Sequence, residues 1–192
     1  NQNAGNWVEV DTECIRLLET LIQVSDMTNG SFDISCMPLL RLWGFYRTEN
    51  TEIPTKTAIA DALKKVDYRT ISIKNNAVKI ELGQALITGS FIKSFAVDKV
   101  VEMLRERGIT DAIINAGGST IMALNDETHA TWKVNIPNAV DATKPTESLA
   151  IANQCFSLSA RSNNHLTING KKYGHILNSK TGFPVTTLQT GI

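Results

Sequence analysis

Three cysteines in 192 residues, Cys14, Cys36 and Cys155, are too few and too widely spaced for a zinc motif or a disulfide framework. That leaves buried free thiols as the expectation for all three. Charge of one sign is missing too: nineteen Lys and Arg balance nineteen Asp and Glu, with no basic block. An electrostatic footprint for nucleic acid or a membrane surface is therefore absent. No apolar run approaches the roughly 20 residues that a membrane span needs. The HExxH pattern is absent, and no pair among His129, His165 and His175 has metal-ligand spacing. Repeats and low-complexity tracts are lacking. No signal peptide is visible, and the chain opens on Asn1, which leaves open whether a leader was removed or never included.

What is present is the composition of an ordinary soluble protein, 42% hydrophobic and 20% charged, long enough for one domain with a substantial core. Apolar residues at helical spacing, Ile15, Leu17, Leu18, Leu21, Ile22 and Val24, predict a helix capped by Asp11 or Thr12 and stopped by Asn29-Gly30. Pro38 bars a central strand in residues 30–45 but suits a helix start. Further helices are expected over residues 55–66 and 94–107, the latter with Gly108 as its C-terminal cap. Residues 70–73 and 77–81 read as a hairpin across 74–76. Short strands are expected at 112–114, 120–124, 132–136, 149–152, 155–158 and 166–168, with Asn169-Gly170 as a tight turn and residues 140–147 as a surface loop. Helices early and strands late predict an α+β fold with a largely antiparallel sheet.

Chemistry concentrates in three places. His175 lies on a strand-like apolar segment that breaks into the Thr-Gly-x-Pro turn ending at Pro184. An imidazole there suits a general base, and equally a half-buried structural histidine. Lys93 follows Thr88, Gly89, Ser90, Phe91 and Ile92, just ahead of a helix. A helix N-terminus and a lysine suit a phosphate; a solvated lysine is the plainer reading. The GxxxxGK[ST] spacing is missing, so this is not a P-loop. Asn115, Ala116, Gly117, Gly118 and Ser119 follow a short apolar run, where adjacent glycines permit a close backbone approach or simply form a bulge or turn. Trp43 and Phe45 read as core rather than as a flavin platform. His129, in a polar loop, and His165, at a strand start, have weaker claims.

Taken in order, these segments resemble the FAD:protein FMN transferases, the ApbE family. The family pattern FDxTxxPLxxLWGF is matched by Phe32, Asp33, Pro38, Leu39, Leu42, Trp43, Gly44 and Phe45. DLGGIAKGYAVD is echoed over residues 87–98, where Gly89, Lys93, Ala96, Val97 and Asp98 agree. NAGGD corresponds to residues 115–119 and HHIxDPxTGxP to residues 174–184, with Ser159, Asn169-Gly170 and Tyr173 falling in register. The chain departs from the family aspartates at Ile87, Ser119, Arg161 and Asn178, and from family glycines at Ser90, Ser94 and Ala160; Gly174 stands for the first histidine of the pair.

The resemblance implies a single ApbE-like, T-fold-like domain over residues 1–192, with family segments before Asn1 and after Ile192. The latter is expected to hold the Asp and Thr that bind Mg²⁺, leaving only backbone near Ile92 as a metal contact here. It implies transfer of FMN from FAD to a threonine (or serine) of an acceptor flavoprotein through a phosphoester, with AMP released. Lys93, Asn115, Gly117, Gly118, Ser119, Ser159, Thr181 and Gly182 are the expected FAD contacts. His175 is the expected proton acceptor and Asn178 its orienting neighbour. The family's usual setting implies an extracytoplasmic, membrane-anchored lipoprotein. A degenerate member that binds flavin or a partner without transfer, and an FAD pyrophosphatase yielding FMN and AMP, are the rival readings.

Overall fold

The computed structural model describes residues 1–46, 50–138, 145–160, 165–186 and 190–191. In chain order the elements are β1 (Val8–Glu9), α1 (Thr12–Met27), α2 (Met37–Trp43), α3 (Lys56–Leu63), a 3-10 turn (Tyr68–Thr70), β2 (Ser72–Lys74), β3 (Ala77–Lys79), α4 (Ile92–Glu106), β4 (Ala112–Asn115), β5 (Thr120–Leu124), β6 (Trp132–Pro137), β7 (Pro145–Ile151), β8 (Cys155–Ser157), β9 (Ser159–Ala160), β10 (His165–Ile168), β11 (Lys171–Gly174) and β12 (Thr190–Gly191). Their contacts divide the chain into two compact units, Asn1–Thr88 with Asn163–Thr187, and Gly89–Ser162 with Leu188–Ile192.

The first unit is built around short helices. The Asp11 carboxylate caps α1 by accepting from Cys14 N–H at 2.7 Å. α1 stops because Asn29 turns left-handed, which lets Gly30 N–H reach Ser25 O at 2.7 Å and Asn29 N–H reach Asp26 O at 3.0 Å. α2 starts with Pro38 in its first turn and ends the same way at Gly44, with φ 88°. Thr55 caps α3, which closes at Leu63 in tightened turns rather than running on to Val66. Leu39, Trp43, Ile59 and Ala62 form the buried centre, and Leu63, Tyr173 and Leu177 pack against it. Strands β1, β3 and β2 pair antiparallel in that order. The hairpin of β10 and β11 turns on Asn169 and Gly170, both at positive φ as the tight turn requires.

In the second unit α4 buries Val97 and Val101 against Leu124. Gly108 N–H donates to Arg105 O at 3.0 Å and Ile109 N–H to Leu104 O at 3.0 Å, the glycine-dependent stop expected from the sequence. Strands β4, β5 and β8 form one antiparallel ladder, β6 and β7 a second, and β9 with β12 a third. Their inward residues, Ile121, Ala123, Val134, Ile136, Ile151 and Phe156, make the core.

The α+β assignment and the antiparallel pairing hold, but the strands form several short ladders rather than one sheet. Residues 145–147 belong to β7, not to a surface loop, because pairing with β6 overrides their weak strand propensity; residues 139–144 of that loop lie outside the described residues, as does Arg161. Thr70 sits in the 3-10 turn rather than the hairpin. Cys155 is exposed and Cys14 and Cys36 are half-buried, so none is the fully buried thiol expected. Among the described residues, no helix is long and apolar enough to cross a membrane.

Candidate functional site

Two clusters hold the residues singled out by the sequence, one in each unit. In the second unit, β4 and β5 are joined by residues 116–119. Gly117 and Gly118 both sit at positive φ, 70° and 73°, a pair of successive left-handed residues that side chains other than glycine resist. The turn is held from inside. Asn115 Oδ1 accepts Gly118 N–H at 2.7 Å, and Ala116 N–H donates to Thr120 O at 2.8 Å. Asn115 is thus a brace whose oxygen is spent on the backbone, and the Gly118 N–H points at it rather than outward.

Lys93 lies inside the first turn of α4, one residue after its start, not ahead of the helix. Phe91 stands at the N-cap and supplies no side-chain acceptor, so the first-turn amides lack a side-chain cap. Lys93 Nζ donates to Ser119 Oγ at 2.8 Å and lies 3.7 Å from where a β-carbon on Gly117 would sit. Its partner is a neutral hydroxyl, which leaves the ammonium charge uncancelled where a carboxylate would pair with it. Leu158 N–H donates to Ser119 O at 2.8 Å, which draws the start of β9 and its exposed Ser159 toward the turn. The structure therefore brings together Lys93, Asn115, Gly117, Gly118 and Ser119, with Ser159 next in sequence to the bonded Leu158.

In the first unit β11 ends at Gly174, so His175 stands just past the strand rather than on it. It is half-buried, with its ring edge-on to Phe45 at 6.5 Å. The chain then folds back on itself. Val185 N–H donates to Ile176 O at 2.9 Å, Asn178 N–H to Phe183 O at 2.9 Å, and Gly182 N–H to Asn178 O at 2.8 Å. Asn178 Oδ1 accepts from the N–H groups of Lys180 at 2.9 Å and Thr181 at 3.0 Å. That is the local bonding for which asparagine suits turns. Its oxygen is committed to the loop and is not the group that would orient His175. Thr181 is exposed and its Oγ1 accepts Phe183 N–H at 3.4 Å.

Gly182 has a packing reason to be glycine. A β-carbon there would lie 2.5 Å from Ile59 Cγ2 and 3.2 Å from Leu39 Cδ2, at φ 73°. Its carbonyl accepts the indole N–H of fully buried Trp43 at 2.8 Å. Trp43 and Ser179, whose hydroxyl donates to Gly30 O at 2.6 Å, escaped the sequence reading as contributors. The available signal was that a buried indole N–H, a donor only, has to find an acceptor.

Asp33 is likewise structural. Its carboxylate accepts from Ser35 N–H at 2.7 Å, Ser35 Oγ at 2.6 Å and Tyr68 N–H at 3.3 Å. Burial, with the Asp33 carboxylate adding to it, pushes the Cys36 thiol up to about 12, so it is no nucleophile at neutral pH. His129 stands away from these residues in sequence, its Nδ1 3.3 Å from the Asp111 carboxylate and its ring 4.2 Å from Trp132. Among the described residues no three His, Cys, Asp or Glu side chains gather as a metal site. A resident magnesium ion does not fit these side chains, which place an ammonium and neutral hydroxyls at the turn.

A model of the ApbE family matches residues 1–190. The FAD:protein FMN transferase of Haemophilus influenzae is 24% identical over 96% of this chain and 56% of its own length. That of Treponema pallidum is 27% identical over 97% and 56%, respectively. Among solved structures, the ApbE protein of Thermotoga maritima is similar with a TM-score of 0.89 at 22% identity, covering 98% of this chain and 62% of its own. The Pseudomonas stutzeri flavinyl transferase ApbE, in its apo form, gives 0.79 at 23% identity, covering 95% and 57%. The chain spans about half the length of the curated relatives it matches. Match along nearly the whole sequence and agreement of fold lead to one conclusion: this chain belongs to the ApbE family.

Proposed function

We propose that the chain transfers FMN from FAD to a threonine (or serine) hydroxyl of an acceptor flavoprotein. The acceptor oxygen attacks the phosphorus on the FMN side of the diphosphate, a new phosphoester forms, the bond to AMP breaks and AMP leaves. The hydroxyl proton passes to His175. Such a step asks for charge neutralisation and in-line positioning more than for covalent help from the protein. Both compact units belong, in this proposal, to one ApbE-like domain over residues 1–192.

The observation that carries the reading is Lys93, its ammonium 2.8 Å from Ser119 Oγ beside the two left-handed glycines of the β4–β5 turn. The stripped backbone leaves room for a bulky anion, and the lysine supplies a point charge not cancelled by its partner. Lys93 and this turn are assigned to the diphosphate, with Ser159 and Thr181 as further FAD contacts. His175 is assigned the proton because an imidazole ordinarily exchanges one near neutral pH. No described side chain is assigned to magnesium, and dependence on Mg²⁺ rests on the family likeness alone. An extracytoplasmic, membrane-tethered location rests on the family likeness alone.

One observation favours a second reading, a flavin-binding member without transfer. Ser119 and Asn178 are uncharged, and the Asn178 oxygen is spent on its own loop. Incubating the protein with FAD, Mg²⁺ and a threonine-bearing acceptor separates the readings. A fluorescent acceptor band after denaturing electrophoresis, with AMP released, supports transfer. FMN and AMP without a band point to FAD hydrolysis. Bound but intact FAD leaves the binding member.

A further inference from the structure

We propose that Trp43 is a positioning residue for His175, with Ser179 as a second pin on the same loop. The inference rests on the role given to His175 above. The loop's own rungs, from Val185 to Ile176, Asn178 to Phe183 and Gly182 to Asn178, fix its internal shape and not its orientation. Orientation comes from outside it. The Trp43 ring lies 5.6 Å from that of Tyr173, two residues before the imidazole, and 5.7 Å edge-on from that of Phe183, eight residues after it. Its N–H holds the Gly182 carbonyl at 2.8 Å. One fully buried side chain thus touches the chain on both sides of His175. Phe45, two positions along from Trp43, meets the imidazole itself.

A residue that merely fills volume does not need an indole. Phenylalanine or leucine would occupy the space but would leave the Gly182 carbonyl without its buried donor. Ser179 adds a pin at the far side of the loop, its hydroxyl donating to Gly30 O at 2.6 Å across 149 positions of sequence. Two external hydrogen bonds, one to the α2 indole and one to the turn after α1, hold the loop against rotation. A general base works only within hydrogen-bond reach of its proton, and a displacement of about 1 Å can cost about 10²-fold in rate.

The test uses the full chain with Trp43→Phe and Ser179→Ala, reading the ring resonances of its three histidines by NMR without FAD and then FMN transfer. His175 is assigned by its loss in His175→Ala. The expected result is a shifted or broadened His175 signal in both variants, with His129 of the other unit unmoved. Transfer kcat should fall about 10- to 100-fold in Trp43→Phe and about three- to tenfold in Ser179→Ala, with KM for FAD within about twofold. An unmoved His175 signal and unchanged kcat in folded variants would overturn the proposal, leaving Trp43 as core filling. Should Trp43→Phe fail to fold, Ser179→Ala decides alone by the same two readouts. If the wild type transfers no FMN, the proposed function falls, and the His175 resonance still decides whether the loop is pinned.

Discussion

The loop of residues 175–184 and the turn of residues 116–119 both depend on left-handed glycines, for opposite reasons. At Gly182 the space for a side chain is taken: an added β-carbon would run into Ile59 and Leu39. Among the described residues, an added β-carbon at Gly118 would meet nothing within 4 Å, and at Gly117 only Lys93 Nζ at 3.7 Å. The first glycine serves the protein's own core. The other two keep a stretch of exposed backbone bare beside a cation. The same residue type thus marks a packed support in one unit and a bare turn beside a lysine in the other.

The comparison is broken most severely by Gly182→Ala. Overpacking of about 1–3 kcal/mol and left-handed strain of about 1–2 kcal/mol add to roughly 2–5 kcal/mol, a large share of a domain's stability. Chemical denaturation should show it as a lowered midpoint, and a loss under about 1 kcal/mol would deny the packing role. Gly118→Ala meets only the strain, about 1–2 kcal/mol, and should weaken FAD binding by more than its small stability loss suggests. Lys93→Gln should leave stability untouched and raise the Kd for FAD about five- to tenfold, about 1 kcal/mol, in a titration of flavin fluorescence. An unchanged Kd would remove the lysine from the diphosphate.

At neutral pH the smallest effect concerns Cys36. Its thiol is raised from the ordinary 9.0 to about 12, so the unfolded chain loses this proton first as pH rises. The native state then binds more protons than the unfolded one, and stability falls with rising pH between about 9 and 12. Near neutral pH the contribution is level. Alkylation with a thiol reagent at pH 8 should label exposed Cys155 well before Cys36. Equal labelling would contradict the burial.

Much of this was legible in the sequence because its signals are local. Asp11, Asn29-Gly30 and Gly108 act within a few residues of themselves, and the helix ends follow them. Strands β1, β9 and β12, two residues each, carry no readable period and exist only through their partners. Pro145, Thr146 and Glu147 are exposed and poor strand formers, so only the register against β6 places them. The candidate site divides likewise. The Asn115–Ser119 turn was visible as a pattern, whereas the bonds from Trp43 to Gly182 and from Ser179 to Gly30 span 139 and 149 positions and leave no local trace. Asn178 drew attention as a neighbour of His175, yet its oxygen bonds two and three residues ahead.

The most direct measurement compares wild type and His175→Ala for FAD affinity and for covalent flavin on a threonine-bearing acceptor, in one preparation. The account predicts an unchanged Kd together with a loss of labelling of about 10²- to 10⁴-fold, since the imidazole moves a proton and does not hold the dinucleotide. Labelling that persists at the wild-type rate in His175→Ala would contradict it.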